Sequence, residues 1–216
     1  MDTEFARSQM IGQQVRAAHV LDPDVLRVLA EVPRERFVPE GFADLAFADA
    51  SIPLAHGQFM MRPQVEGLLL QALALQGTDA VLEIGTGSGF LAACLEQLAA
   101  AVTSLEIFPD LAEAARQRLR AQDARRVTVV AGDAFDWTPG RTFDCIAITG
   151  SLPVPTRRFD DWLAPGGRMF MVVGAGPVME ALRVTRSADG ALRREALFET
   201  QLTALVNAPQ PARFSF

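Results

Sequence analysis

The chain has 216 residues, half of them hydrophobic and 21% charged, which excludes a disordered segment and fits one domain with an ample core. Its formal net charge of −6 leaves no basic surplus to neutralise phosphates, which argues against general binding of nucleic acid or an anionic membrane. Two cysteines, Cys94 and Cys145, lie inside apolar runs; they make no disulfide framework and are expected to be buried free thiols of a reducing compartment. The N-terminal stretch MDTEFARSQM carries no apolar core of a secretory signal. No apolar run approaches the ~20 residues that span a bilayer. A cytoplasmic protein is expected, and nothing in the sequence sets its oligomeric state.

In chain order, residues 3 to 31 predict two helices, the second started by Asp22 as N-cap with Pro23 at the first helical position. His19 is expected to close a helix C-terminus. The stretch 32–63 holds Pro33, Pro39, Pro53 and Pro63 with glycines between, so it predicts mostly irregular chain, and a loop that long usually has a function. A helix follows over 63–76. From Asp79 strands and helices alternate. Strands are predicted at 80–85, 102–107, 126–132, 143–149 and 168–174, and helices at 90–99, 110–122 and around 159–163. Asp189-Gly190 between two apolar–polar runs predicts a closing hairpin. The expected architecture is α/β: a Rossmann-like, doubly wound, mostly parallel seven-stranded sheet with an N-terminal helical extension and an antiparallel edge. The whole chain, 1–216, reads as one domain, with N-terminal helices and loop (1–78), a central core (79–174) and a C-terminal hairpin and tail (175–216). The terminal RFSF is either an unstructured tail or a docking segment for a partner subunit.

The stretch VLEIGTGSGF carries the chemistry. Gly85, Gly87 and Gly89 follow a strand and open a helix, where a tight turn and close ligand approach require the absence of a Cβ. The helix N-terminus then offers unpaired N–H groups to an anion. Phe90 stands where a dinucleotide fingerprint needs glycine or alanine, which disfavours a nicotinamide oxidoreductase. The spacing G-x-G-x-G, preceded by Glu83, suits a ligand with an amino-acid carboxylate, and S-adenosyl-L-methionine is such a ligand. Glu106 ends the second strand of this region, where a carboxylate can accept from both ribose hydroxyls. Asp133 ends the third, where one can accept from an adenine amino group. Thr86, Ile107 and Ala134 complete the expected cofactor wall. No metal site is expected.

With these residues in view, the sequence resembles class I S-adenosylmethionine-dependent methyltransferases, and within them the protein-L-isoaspartate O-methyltransferase family. The resemblance rests on VPRERFVP (32–39), AFADASIPLAHGQ (46–58), the glycine loop with its aromatic Phe90, and APGGRMFMVVG (164–174), and extends from about residue 9 to about 205. It implies methyl transfer to a carboxylate of a protein, a peptide or a small acceptor, with the N-terminal helices and the 32–63 loop covering the substrate side.

One segment departs from the family. Where its members read G-Q-T-I-S-x-P, this chain reads Gly57-Gln58-Phe59-Met60-Met61-Arg62-Pro63. The serine that the family is taken to place beside the transferred methyl is Met61, which has no hydrogen-bond donor. Gln58, Met61 and Ser151, in ITGS (148–151), are the candidate acceptor-side residues. A more apolar pocket for another acceptor, with Arg62 or His56 at its acidic group, is also compatible, as is cofactor binding without turnover.

Overall fold

The computed structural model describes residues 3–211; the RFSF stretch lies outside them. Helix α1 (Thr3–Met10) runs on into one wide turn, Ile11–Val15, in which the Arg16 amide donates to the Ile11 carbonyl at 2.9 Å. His19 ends the segment in a left-handed conformation, φ 65°, its amide on the Arg16 carbonyl. Helix α2 (Pro23–Glu31) starts as its sequence predicts: Asp22 Oδ1 accepts from the amides of Asp24 and Val25 at 2.9 and 3.2 Å, which satisfies two of the unpaired N–H groups of the first turn.

Residues 32–63 are mostly irregular, with three short 3₁₀ turns and one small hairpin of β1 (Ile52–Pro53) and β2 (Phe59–Met60). Helix α3 (Pro63–Leu73) stops at Ala74, left-handed at φ 44°, slightly before the predicted end. The alternating part follows as β3 (Ala80–Ile84), α4 (Phe90–Leu98), β4 (Ala101–Glu106), α5 (Pro109–Ala121), β5 (Val127–Ala131), β6 (Phe143–Leu152) and β7 (Leu163–Val173). The antiparallel β8 (Met179–Arg186) and β9 (Leu192–Thr200) close it. The seven long strands form one sheet in the order β5-β4-β3-β6-β7-β8-β9, parallel from β5 to β7 and antiparallel at β7–β8–β9. The Rossmann-like sheet is thus present, and β3 and β6 are buried along nearly all their length, as strands covered on both faces must be.

Three predicted boundaries are corrected, the first being the start of β7, which lies at Leu163 and not at 168. The helix around 159–163 is a single turn, Asp160–Trp162, because Leu163 is already drawn into the ladder opposite Phe143. Strand β6 runs three residues past Thr149, since Ser151 and Leu152 pair with Val172 and Val173. Cys94 and Cys145 are buried free thiols, and burial pushes both well above the ordinary thiol range. Among the described residues no helix is long and apolar enough to cross a membrane.

Candidate functional site

Order in the sheet reverses between β3 and β6, the place where open α/β sheets leave a crevice at their carboxyl ends. A cavity of about 370 Å³ opens there, within the size range of small-molecule sites. The β3–α4 turn forms its floor. Gly85, at φ 100°, donates its N–H to the Leu105 carbonyl at 2.8 Å, and a Cβ on it would overlap the Thr149 hydroxyl. That hydroxyl lies 2.7 Å from the Gly85 carbonyl and 2.9 Å from that of Ile84. The turn therefore needs both the backbone freedom and the missing side chain of glycine.

Glu106 at the tip of β4 is buried, and its two oxygens accept from the Gly87 amide at 2.8 Å and the Phe108 amide at 3.1 Å. Asp133, just past β5, accepts from the Phe135 amide at 2.8 Å and from the Asn207 carboxamide at 2.6 Å. The expected residues Gly85, Gly87, Glu106, Ile107, Asp133 and Ala134 all line the cavity, together with Gln58 and Met61 from the substrate-side loop. Among the described residues on its wall there is no Lys, Arg or His, while Glu106 and Asp133 are acidic. The cavity suits a ligand with a positive centre.

Four expected site residues lie elsewhere. Gly89 does not line the cavity and faces helix α5: a Cβ there would sit 3.3 Å from that of Ala115, so close helix packing needs this glycine. Ser151 is fully buried inside β6, its hydroxyl donated to the Leu202 carbonyl at 3.1 Å. The extension of β6 is what turns it away from the cavity. Glu83 and Thr86 lie beneath the turn and border a separate void of about 40 Å³, shared with Met61 and Glu66. There the Thr86 hydroxyl is 2.5 Å from that of Ser104, which in turn donates to Glu83. Glu83 thus reaches the turn through two hydroxyls instead of touching the cavity.

Its second oxygen has no hydrogen-bond partner among the described residues. Burial is the main cause that pushes the Glu83 carboxyl up to about 8; the charges of Glu106 and Glu66 add to it, and the Ser104 bond opposes it. Relative to an ordinary value of 4.5 in the unfolded chain, its contribution to stability is complete below pH 4.5 and is lost as pH rises to about 8. Urea unfolding at pH 5 and pH 8.5 is expected to show a smaller loss of stability with rising pH in Glu83→Gln than in the wild type. Burial shifts Glu66 in the same direction, so the dependence is reduced and not removed. An equal loss in both proteins would exclude the assignment.

His56 is taken up by a different contact. Its Nε2 lies 2.9 Å from both oxygens of Asp110, and its ring stacks on Phe108 at 4.1 Å and 7°. It fastens the loop to the start of α5 and lines no part of the cavity, and Arg62 lines none of it either. Sequence reasoning missed the segment after β9: Leu202, Thr203, Leu205 and Val206 all form cavity wall. Its only local signal is Gly150 inside a strand, a mark of close backbone approach.

The sequence model of the family described as protein-L-isoaspartate(D-aspartate) O-methyltransferase matches residues 6–210. A protein-L-isoaspartate O-methyltransferase 1 of Rhodopseudomonas palustris (strain HaA2) is 38% identical, over 97% of this chain and 90% of its own length. One from Anaeromyxobacter sp. (strain Fw109-5) is 41% identical, over 85% of this chain and 88% of the relative. In fold, the chain is similar to a protein-L-isoaspartate O-methyltransferase of Plasmodium falciparum solved with S-adenosyl-L-homocysteine. That match has a TM-score of 0.80, covers 95% of this chain and 98% of the other, and is 16% identical.

Proposed function

The chain belongs to the protein-L-isoaspartate(D-aspartate) O-methyltransferase family, and from that premise we propose that it transfers a methyl group from S-adenosyl-L-methionine to a carboxylate on a protein or peptide. It is an S-adenosylmethionine-dependent methyltransferase of the isoaspartyl type. One observation carries the assignment of its residues: a side-chain-free bend at β3, Glu106 at β4 and Asp133 at β5 face one cavity from three adjacent strand tips.

The residues divide the work. Each oxygen of Glu106 spends one lone pair on a backbone amide and keeps another for a ribose hydroxyl. Asp133 receives the adenine amino group, with Ile107 and Ala134 as the walls around the nucleoside. The bend at Gly85–Gly87 leaves room for the amino-acid end. When bound, the cofactor supplies a methyl group on a sulfonium centre. The acceptor carboxylate is ionised at neutral pH, with an ordinary pKa of ~4, so no general base is required. What remains for the protein is alignment and exclusion of water, and Leu54, Phe59, Met61 and Leu202 give the acceptor end an apolar surface for it.

A second reading rests on Phe59 and Met61, which both line the cavity where the family carries hydroxyls. An acceptor with a more apolar body than an isoaspartyl residue suits these two side chains. The nature of the product tests the main reading. Incubation with the cofactor and an isoaspartyl peptide is expected to yield S-adenosyl-L-homocysteine and an alkali-labile methyl ester. An alkali-stable methylated product would place the methyl on something other than a carboxylate.

A further inference from the structure

The chain leaving β9 does not trail away. Strand β9 is one edge of the sheet and β5 is the other, yet the segment 201–208 crosses the carboxyl ends of the strands and touches Asp133, two residues past β5. It is held along its length, by the Ser151 hydroxyl on the Leu202 carbonyl and by three further contacts. Ser151 and Ala204 form a parallel bridge, with the Ser151 amide on the Thr203 carbonyl at 2.9 Å and the Leu205 amide on the Ser151 carbonyl at 3.0 Å. Leu205 is seated on Gly150, where a Cβ would lie 2.7 Å from its Cδ2. At the far end Asn207 Nδ2 donates to Asp133 Oδ2 at 2.6 Å. Asn207 is left-handed, φ 63°, a conformation that asparagine tolerates better than most residues.

The backbone thus puts a carboxamide beside the carboxylate that receives the adenine amino group. One N–H of Asn207 is spent on Asp133. The other N–H and the carbonyl oxygen remain, one donor and one acceptor side by side. Adenine offers the matching pair, an acceptor at N7 next to the amino donor at N6, and asparagine reads that edge in nucleic acids by the same two bonds. We propose that Asn207 is a second adenine-reading residue, acting with Asp133 and carried to the base by the 201–208 strap. The proposal rests on the assignment of the cavity to S-adenosylmethionine. A base with an oxygen in place of the amino group still accepts at N7, but it turns an acceptor toward the Asn207 oxygen and the Asp133 carboxylate and leaves both without a donor, which is where a site built on hydrogen bonds discriminates.

Calorimetry on the full chain with S-adenosyl-L-homocysteine and its S-inosyl analogue tests this. Asn207→Gly preserves the left-handed turn and removes the carboxamide, and Asn207→Leu preserves the side-chain size and removes both donor and acceptor. The wild type is expected to prefer the adenosyl ligand, and both variants to lose roughly five- to tenfold of that preference, the low end for a side-chain pair reading a base edge. A structural role alone would weaken both ligands equally and leave the ratio unchanged, and that result would overturn the proposal. A wild type that binds the two ligands equally would remove Asn207 and Asp133 together as readers, with the pocket itself intact. Binding of neither ligand would instead remove the reading of the pocket.

Discussion

Replacing Arg34 by alanine is expected to destabilise the protein by roughly 3–5 kcal/mol, the range for removing one partner of a buried ion pair. Arg34 is 0% exposed. Its guanidinium pairs with Glu66 on α3, donates through Nε to the Ala46 carbonyl at 2.8 Å and through Nη2 to the Met61 carbonyl at 2.7 Å, and lies 4.8 Å from the centre of the Phe90 ring. One side chain thus joins both ends of the substrate-side loop to α3 and to the helix of the glycine turn. Its removal leaves Glu66 buried without its counter-charge and two carbonyls without donors. The double variant Arg34→Met, Glu66→Leu is expected to recover only part of the loss, because the Ala46 and Met61 carbonyls stay unpaired at ~1–3 kcal/mol each. Urea unfolding of the three proteins checks both statements. A loss under about 1 kcal/mol for the single variant, the level of an exposed pair, would show that the guanidinium is not held as described.

Met61→Ser is expected to raise turnover of an isoaspartyl peptide roughly ten- to hundredfold, as one hydrogen bond to a charged group is worth ~1.5–3 kcal/mol. Met61 lines the cavity, its carbonyl is held by Arg34, and Gln58 and Phe59 stand beside it on the wall. A serine there offers the hydroxyl that the family carries at this position, and the frame that would hold it is already in place. Wild-type turnover on such a peptide is expected to be low. Initial rates at saturating cofactor decide this; a wild-type rate that serine does not improve would mean that the thioether is no handicap and that alignment comes from other groups. The same comparison bears on specificity. Phe59 is 49% exposed at the mouth, so an acceptor with an apolar neighbour next to its carboxylate gains a surface that a threonine would not give.

What the sequence made legible followed from local physics. Continuous apolar runs marked the parallel strands because both their faces are covered, and Asp22-Pro23 marked a helix start because capping is a contact between near neighbours. The glycine turn and the acids at 106 and 133 were legible because strand tips of this fold meet at one crevice. What stayed hidden depends on distant parts of the chain. Ser151 looked available because the register that carries β6 beyond Thr149 is set by Val172 and Val173. Gly89 looked like a ligand glycine because its neighbour across the interface, Ala115, is contributed by the next helix. Glu83 looked like a direct ligand, yet Ser104, one strand away, draws its carboxyl beneath the turn. Asn207 gave no signal and Leu205 only the indirect one of Gly150, since a strap that crosses a whole sheet has no periodicity of its own. His56, in a loop otherwise full of family features, is committed to Asp110 more than fifty positions along the chain.

The central claim is that the acid-lined cavity above the Gly85 bend holds an adenosyl ligand. Titration calorimetry of the purified chain with S-adenosyl-L-methionine and S-adenosyl-L-homocysteine measures this directly, with Glu106→Ala alongside as the variant that removes the ribose contact. One equivalent of either ligand is expected to bind the wild type, and the variant is expected to bind at least ~10-fold more weakly, the loss of hydrogen bonds to a charged group. Absence of binding to the wild type by both ligands, in a chain that unfolds cooperatively, would contradict the account.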